Sequence, residues 1–153
     1  MKLTKNFYLK ELTISQTASR EGIDNSPTAQ HTIELNRLCS EIAQPLRDKV
    51  ARPILITSGY RSKKLNKRIK GSKTSQHCFG QAMDFHINGF TIPEICQIII
   101  EMDLPYHQLI DEFSDNGGGW VHVSIAPEGQ KPKKQFMTAR KNKYGKTVYK
   151  EVT

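Results

Sequence analysis

The spacing of apolar residues changes along the chain, and that change sets the fold class. Ile33, Leu35, Leu38, Ile42 and Leu46 recur at mostly helical spacing. Later runs, "AMDFHI" at 82–87 and "WVHVSI" at 120–125, read as strands, the first by its alternation. Helices first and then a mostly antiparallel sheet is an α+β order. "HQLIDEF" at 107–113 also reads as a strand, and the polar, glycine-rich "SDNGGG" joins it to "WVHVSI" as an antiparallel hairpin. "PILIT" at 53–57 reads as a buried strand and "KKLNKRIKG" as a short helix closed by Gly71. Thr91 and Glu94 have capping-box spacing at the head of a further helix, "TIPEICQIIIEM". Ser26 and Pro27 suit the start of the first long helix, and Pro45 should kink or end it. The basic tail, about 131–153, reads as a final hairpin turning near 142–145.

A chain of 153 residues suits one domain, 1–153, with its own core. No apolar run is long enough to cross a bilayer. The N-terminus is interrupted by Lys5 and Lys10 and has no signal-peptide core. Cytoplasmic synthesis is therefore expected, with assisted release for any role outside the cell. The three cysteines, Cys39, Cys78 and Cys96, form no CxxC pair and read as buried thiols. The net charge of +8 points to anionic partners: nucleic acid, membrane or cell-wall polymer. No helix-turn-helix or aromatic RNA-binding signature is present, so specific nucleic-acid binding is not expected. A monomer is expected.

Chemistry concentrates in "SKTSQHCFGQAMDFHI", residues 72–87. A catalytic zinc takes three protein ligands and keeps one position open. His77 and Asp84 can supply two. His122 is the best third, because alternation puts Val121 and Val123 on one face and Trp120, His122 and Ser124 on the other. His86 shares a face with Asp84 and is the reserve ligand.

Three stretches together carry a resemblance: "SGYRS" (58–62) followed by Asn66, then Ser75, His77, Gly80, Ala82 and Asp84 in S-x-H-x-x-G-x-A-x-D, then "WVH" (120–122). This pattern resembles the zinc D-Ala-D-Ala carboxypeptidase and endopeptidase family, peptidoglycan peptidases that share a metal-site fold with the hedgehog signalling domain. "FYLKELTISQTASREGIDNSP" and "QPLRD" look like its phage and bacterial branch, so the resemblance runs from about Phe7 to Ser124. It implies zinc bound by His77, Asp84 and His122. It also implies Arg61 at the cleft, holding a substrate carboxylate or polarising the scissile carbonyl. Ser75 would support the site by hydrogen bonding. Gly80 and Ala82 would let the backbone turn between the two ligands. Tyr60 reads as cleft wall or core, and Trp120 as a substrate platform or a cap on the sheet. The lysines at 63, 64, 67, 70 and 73 read as a solvated basic stretch beside the site, or together as an attraction to anionic wall polymers.

Metal-assisted hydrolysis also needs a proton carrier. Much of that family has an acid three residues before the last histidine, where this chain has Gly119. The branch it looks like has a glutamate on the preceding strand instead, which selects Glu112. Asp111 is the runner-up, since a one-residue slip in strand register would exchange the two. The expected activity is zinc-dependent hydrolysis of peptidoglycan stem peptides or cross-links. The alternative, supported by Gly119, is a non-catalytic zinc module that recognises cell wall or a protein partner.

Overall fold

The computed structural model describes residues 1–153. Helix α1 spans Gln16–Glu21 and α2 spans Ala29–Leu38. The cap of α2 is Thr28, two residues beyond the Ser26–Pro27 signal. Thr28 Oγ1 accepts the His31 N–H at 3.2 Å, and His31 Nδ1 accepts the Thr28 N–H at 3.2 Å. Histidine thus completes a reciprocal cap usually made by glutamate or glutamine. Pro45 does not end the helical run. A π turn over Cys39–Ala43 leads directly into α3, Gln44–Val50. There the Gln44 N–H reaches back to the Cys39 carbonyl. The wider turn relieves the crowding that a proline ring, lacking an N–H, imposes on an α-helix.

The remaining elements are β1 (Leu55–Ser58), α4 (Lys63–Arg68), β2 (Ala82–His86), α5 (Ile92–Glu101), β3 (Gln108–Glu112), β4 (Trp120–Ser124), β5 (Gln135–Lys141) and β6 (Thr147–Glu151). Thr91 and Glu94 form the expected capping box on α5. The six strands make one sheet in the order β1-β2-β4-β3-β5-β6. Every pairing is antiparallel except β3 with β5. That parallel pair requires the chain to leave β4 and cross to the far side of β3 before β5 begins.

One face of the sheet builds the core. Met83 and Phe85 on β2, Leu109 on β3, and Val121 and Val123 on β4 pack with Leu35, Leu38, Ile42 and Leu46 from the α2–α3 run and with Ile95 and Ile99 from α5. Each large apolar side chain fully buried there contributes roughly 1.5–3 kcal/mol. Strand alternation leaves Asp84, Ile110, Glu112, Trp120 and His122 on the opposite face, which forms the floor of a cleft of about 570 Å³.

Candidate active site

Antiparallel pairing sets Asp84 directly opposite His122. His77 arrives from a 3₁₀ turn, Gln76–Phe79, capped by Ser75. Ser75 Oγ accepts the His77 N–H at 3.3 Å. Gly80 closes the turn at φ 73°. A Cβ at this position would lie 2.7 Å from the His31 carbonyl oxygen, so only glycine fits.

His77 is held from two directions by the SGYRS turn. The Arg61 N–H donates to the His77 carbonyl at 3.1 Å, and His77 Nδ1 lies 2.7 Å from the Gly59 carbonyl oxygen. A carbonyl only accepts, so Nδ1 carries the proton and Nε2 carries the lone pair. Nε2 is buried without a hydrogen-bond partner. It faces Asp84 Oδ1 at 3.3 Å, and His122 Nδ1 lies 2.9 Å from the same oxygen. A lone pair aimed at a carboxylate oxygen is repulsive unless a cation lies between them. The ligand atoms of all three residues lie within 4.8 Å of one another. Donors about 2 Å from a tetrahedral zinc are themselves about 3.3 Å apart. The donor set and its spacing therefore suit zinc. His86 is not in this cluster and borders a separate cleft beside Gly117, Gly118 and Gly119.

Burial lowers the His77 pKa against the pull of Asp84, which keeps the imidazole neutral, the form that binds metal. Burial pushes the Asp84 carboxyl up, but the neighbouring His77 and His122 outweigh it and hold the group below the ordinary carboxylate range.

A bulge in β1 between Ile56 and Ser58 places Ser58 across from Asp84. Ser58 Oγ accepts from Arg61 Nε at 3.2 Å, and Asn66 Oδ1 accepts from Nη1 at 3.2 Å. Nη2 then sits 3.6 Å from Asp84 Oδ2, so Arg61 braces the carboxylate and borders the cleft at once. Asn25 fixes this turn from behind. Its amide donates to the Thr13 and Tyr60 carbonyls, and its oxygen accepts the Ser62 N–H at 2.7 Å.

The β3–β4 register pairs Glu112 with Trp120 and Ile110 with His122. Glu112 therefore lies on the metal-site face, one pair beyond His122. The Trp120 indole N–H donates to Glu112 Oε2 at 2.5 Å. Burial raises the Glu112 pKa, with His122 and the Trp120 hydrogen bond opposing the shift. Asp111 points through the sheet to the other face, where Arg140 Nη1 and Nη2 each donate to its carboxylate at 3.1 Å. It is 4 % exposed and fully engaged, so the structure does not bring it to the site. Gly119 sits at φ +86°, and a Cβ there would lie 2.1 Å from the Glu112 carbonyl oxygen. No acid can stand at 119 in this hairpin.

The Peptidase M15 family model matches residues 5–124, a span holding every residue of this cluster. The chain belongs to the peptidase M15 family. Its motifs resemble the same family, and membership places it among the zinc metallopeptidases of cell-wall type. No curated protein matches the chain. No helix is long and apolar enough to cross a membrane.

In this M15 chain Ser75, Arg61, Glu112 and Trp120 all border the metal-site cleft. Tyr60 does not. It is buried against the His31 ring, centroids 4.5 Å apart, and faces a different cavity beside Ile14 and Leu65. Cys39 and Cys96 are buried, and Cys78 is partly so. Burial raises the Cys78 thiol, which is no activated nucleophile. The cleft also takes His107, Gln135, Met137 and Tyr149, which sequence reasoning left out. Alternation back from Glu112 through Ile110 reaches Gln108, which is also in the cleft. The β5 and β6 residues enter only through the long-range parallel pairing.

Proposed function

We propose that this protein is a zinc-dependent peptidase that hydrolyses peptide bonds in peptidoglycan stem peptides or cross-links. The observation that carries the reading is the buried, unpartnered His77 Nε2 converging with Asp84 and His122 beside the half-buried Glu112. His77, Asp84 and His122 would hold a zinc ion, which would supply Lewis acidity toward water and the scissile carbonyl.

Glu112 is the proton carrier. Trp120 occupies Oε2, which leaves Oε1 to take a proton from the attacking water and deliver it to the leaving amine nitrogen. The raised pKa of Glu112 suits both halves of that transfer. Arg61 braces the Asp84 carboxylate through Nη2, and it presents a cation to a substrate carbonyl or carboxylate at the cleft edge. Gly119 is accounted for by hairpin geometry and gives no support to a non-catalytic module. The test is mass spectrometry of fragments released from defined peptidoglycan, with and without zinc. Peptide-bond cleavage that depends on zinc is expected, and full hydrolysis by metal-stripped protein would overturn the mechanism.

A further inference from the structure

The M15 match ends at Ser124, before β5 and β6 begin. Even so, Lys133, Gln135, Met137 and Tyr149 line the same cleft as His77, Asp84 and His122. The pairing register arranges them in rows across the sheet. One row runs Asp84, His122, Ile110, Met137. The next row on the same face runs Trp120, Glu112, Ala139, Tyr149. Glu112 and Tyr149 are thus two strands apart, roughly 10 Å between backbones. Only the Ala139 methyl stands between them. Ala139 is 0 % exposed although it lies on the cleft face, so flanking side chains close over it. A tyrosine side chain is long enough to cross that gap, and Tyr149 borders the cleft with its ring half exposed.

Burial raises the Tyr149 phenol, and the nearby Glu112 and Asp84 raise it further, so the hydroxyl is a donor at neutral pH. The negative charge of Glu112 disfavours a substrate carboxylate at this spot. A neutral peptide carbonyl is the acceptor that fits both groups.

We infer that Tyr149 is a substrate-positioning residue supplied by the C-terminal hairpin, its phenol donating a hydrogen bond to a backbone carbonyl of the bound peptide on the Glu112 side of the scissile bond. This inference rests on the peptidase reading above. It assigns part of the substrate recognition to strands outside the matched family region.

The experiment uses the zinc-loaded full chain and a soluble stem pentapeptide. Tyr149→Phe keeps the ring and removes only the hydroxyl. Losing a hydrogen bond made equally in ground and transition states raises KM about three- to tenfold and leaves kcat within about twofold. The same loss should appear as weaker peptide binding when Tyr149→Phe is placed in a Glu112→Gln background, where hydrolysis does not intervene. Tyr144→Phe, at the exposed hairpin tip, should match the parent in both measurements. Wild-type KM and wild-type binding in Tyr149→Phe would overturn this inference while leaving the peptidase reading intact, as would a fall in kcat alone. A zinc-loaded wild type that neither binds nor cleaves stem peptides would overturn both.

Discussion

His77 and Glu112 do separable jobs, and single substitutions should separate them. His77→Ala removes the neutral imidazole whose Nε2 faces Asp84, so zinc content and activity should fall together. Glu112→Gln keeps the three donors and the Trp120 contact but cannot carry a proton. It should retain zinc by elemental analysis and lose about 10²- to 10⁴-fold in kcat. Asp111→Asn should retain most activity, because Asp111 serves Arg140 on the other face. The pH dependence follows from Glu112. Its base function needs the ionised form, and burial raises its pKa above the ordinary 4.5. The acid limb of kcat/KM should therefore report the ionisation of Glu112. In the metal-free chain the sign for stability is opposite to that of a salt-bridged acid. A raised folded pKa means stability is greatest while Glu112 is protonated and declines as pH rises through that pKa. Denaturant titration of metal-free Glu112→Gln should accordingly show it more stable than wild type at neutral pH, with the difference vanishing in acid.

At the scale of elements, the β3–β4 hairpin both aims Glu112 and determines which residues can replace those around it. Gly119→Glu restores the acid that much of the family carries at this place. Here it must adopt φ +86° and push a Cβ against the Glu112 carbonyl. A loss of about 2 kcal/mol or more is expected in chemical denaturation, with no gain in activity. The Asp111–Arg140 pair ties β3 to β5 on the opposite face. Arg140→Ala strands a buried carboxylate and should cost about 3 kcal/mol. Both elements show why the choice between Glu112 and Asp111 was hard to read from the chain. Adjacent residues on a strand differ only in face, and register decides the face. Pro45 shows the same limit in a helix. Its local signal is a break, and a π turn just upstream absorbs it.

Across the whole molecule, the three donors come from separate segments: a turn after α4, strand β2 and strand β4. Metal binding therefore fastens together parts that unfolding would separate. Zinc at a hundredfold excess over its Kd should add about 2.7 kcal/mol to stability. For a chain this size that is a rise of about 5–10 °C in Tm, reversed by chelation. Much of this architecture is legible in the chain. The α+β order, the hairpins, the α5 cap and the candidate donors His77, Asp84 and His122 rest on periodicity, capping chemistry and motif spacing, all of which act over a few residues. Two things are not. Tyr60 sits in a motif that suggests the cleft, yet it packs on His31, because the backbone of the SGYRS turn is drawn toward Leu12 and Asn25. Tyr149 carries no local sign of a role, yet it shares a row with Glu112. That row exists because β5 crosses over to pair in parallel with β3, and such a pairing is chosen by the energy of the whole sheet rather than by any stretch of its sequence.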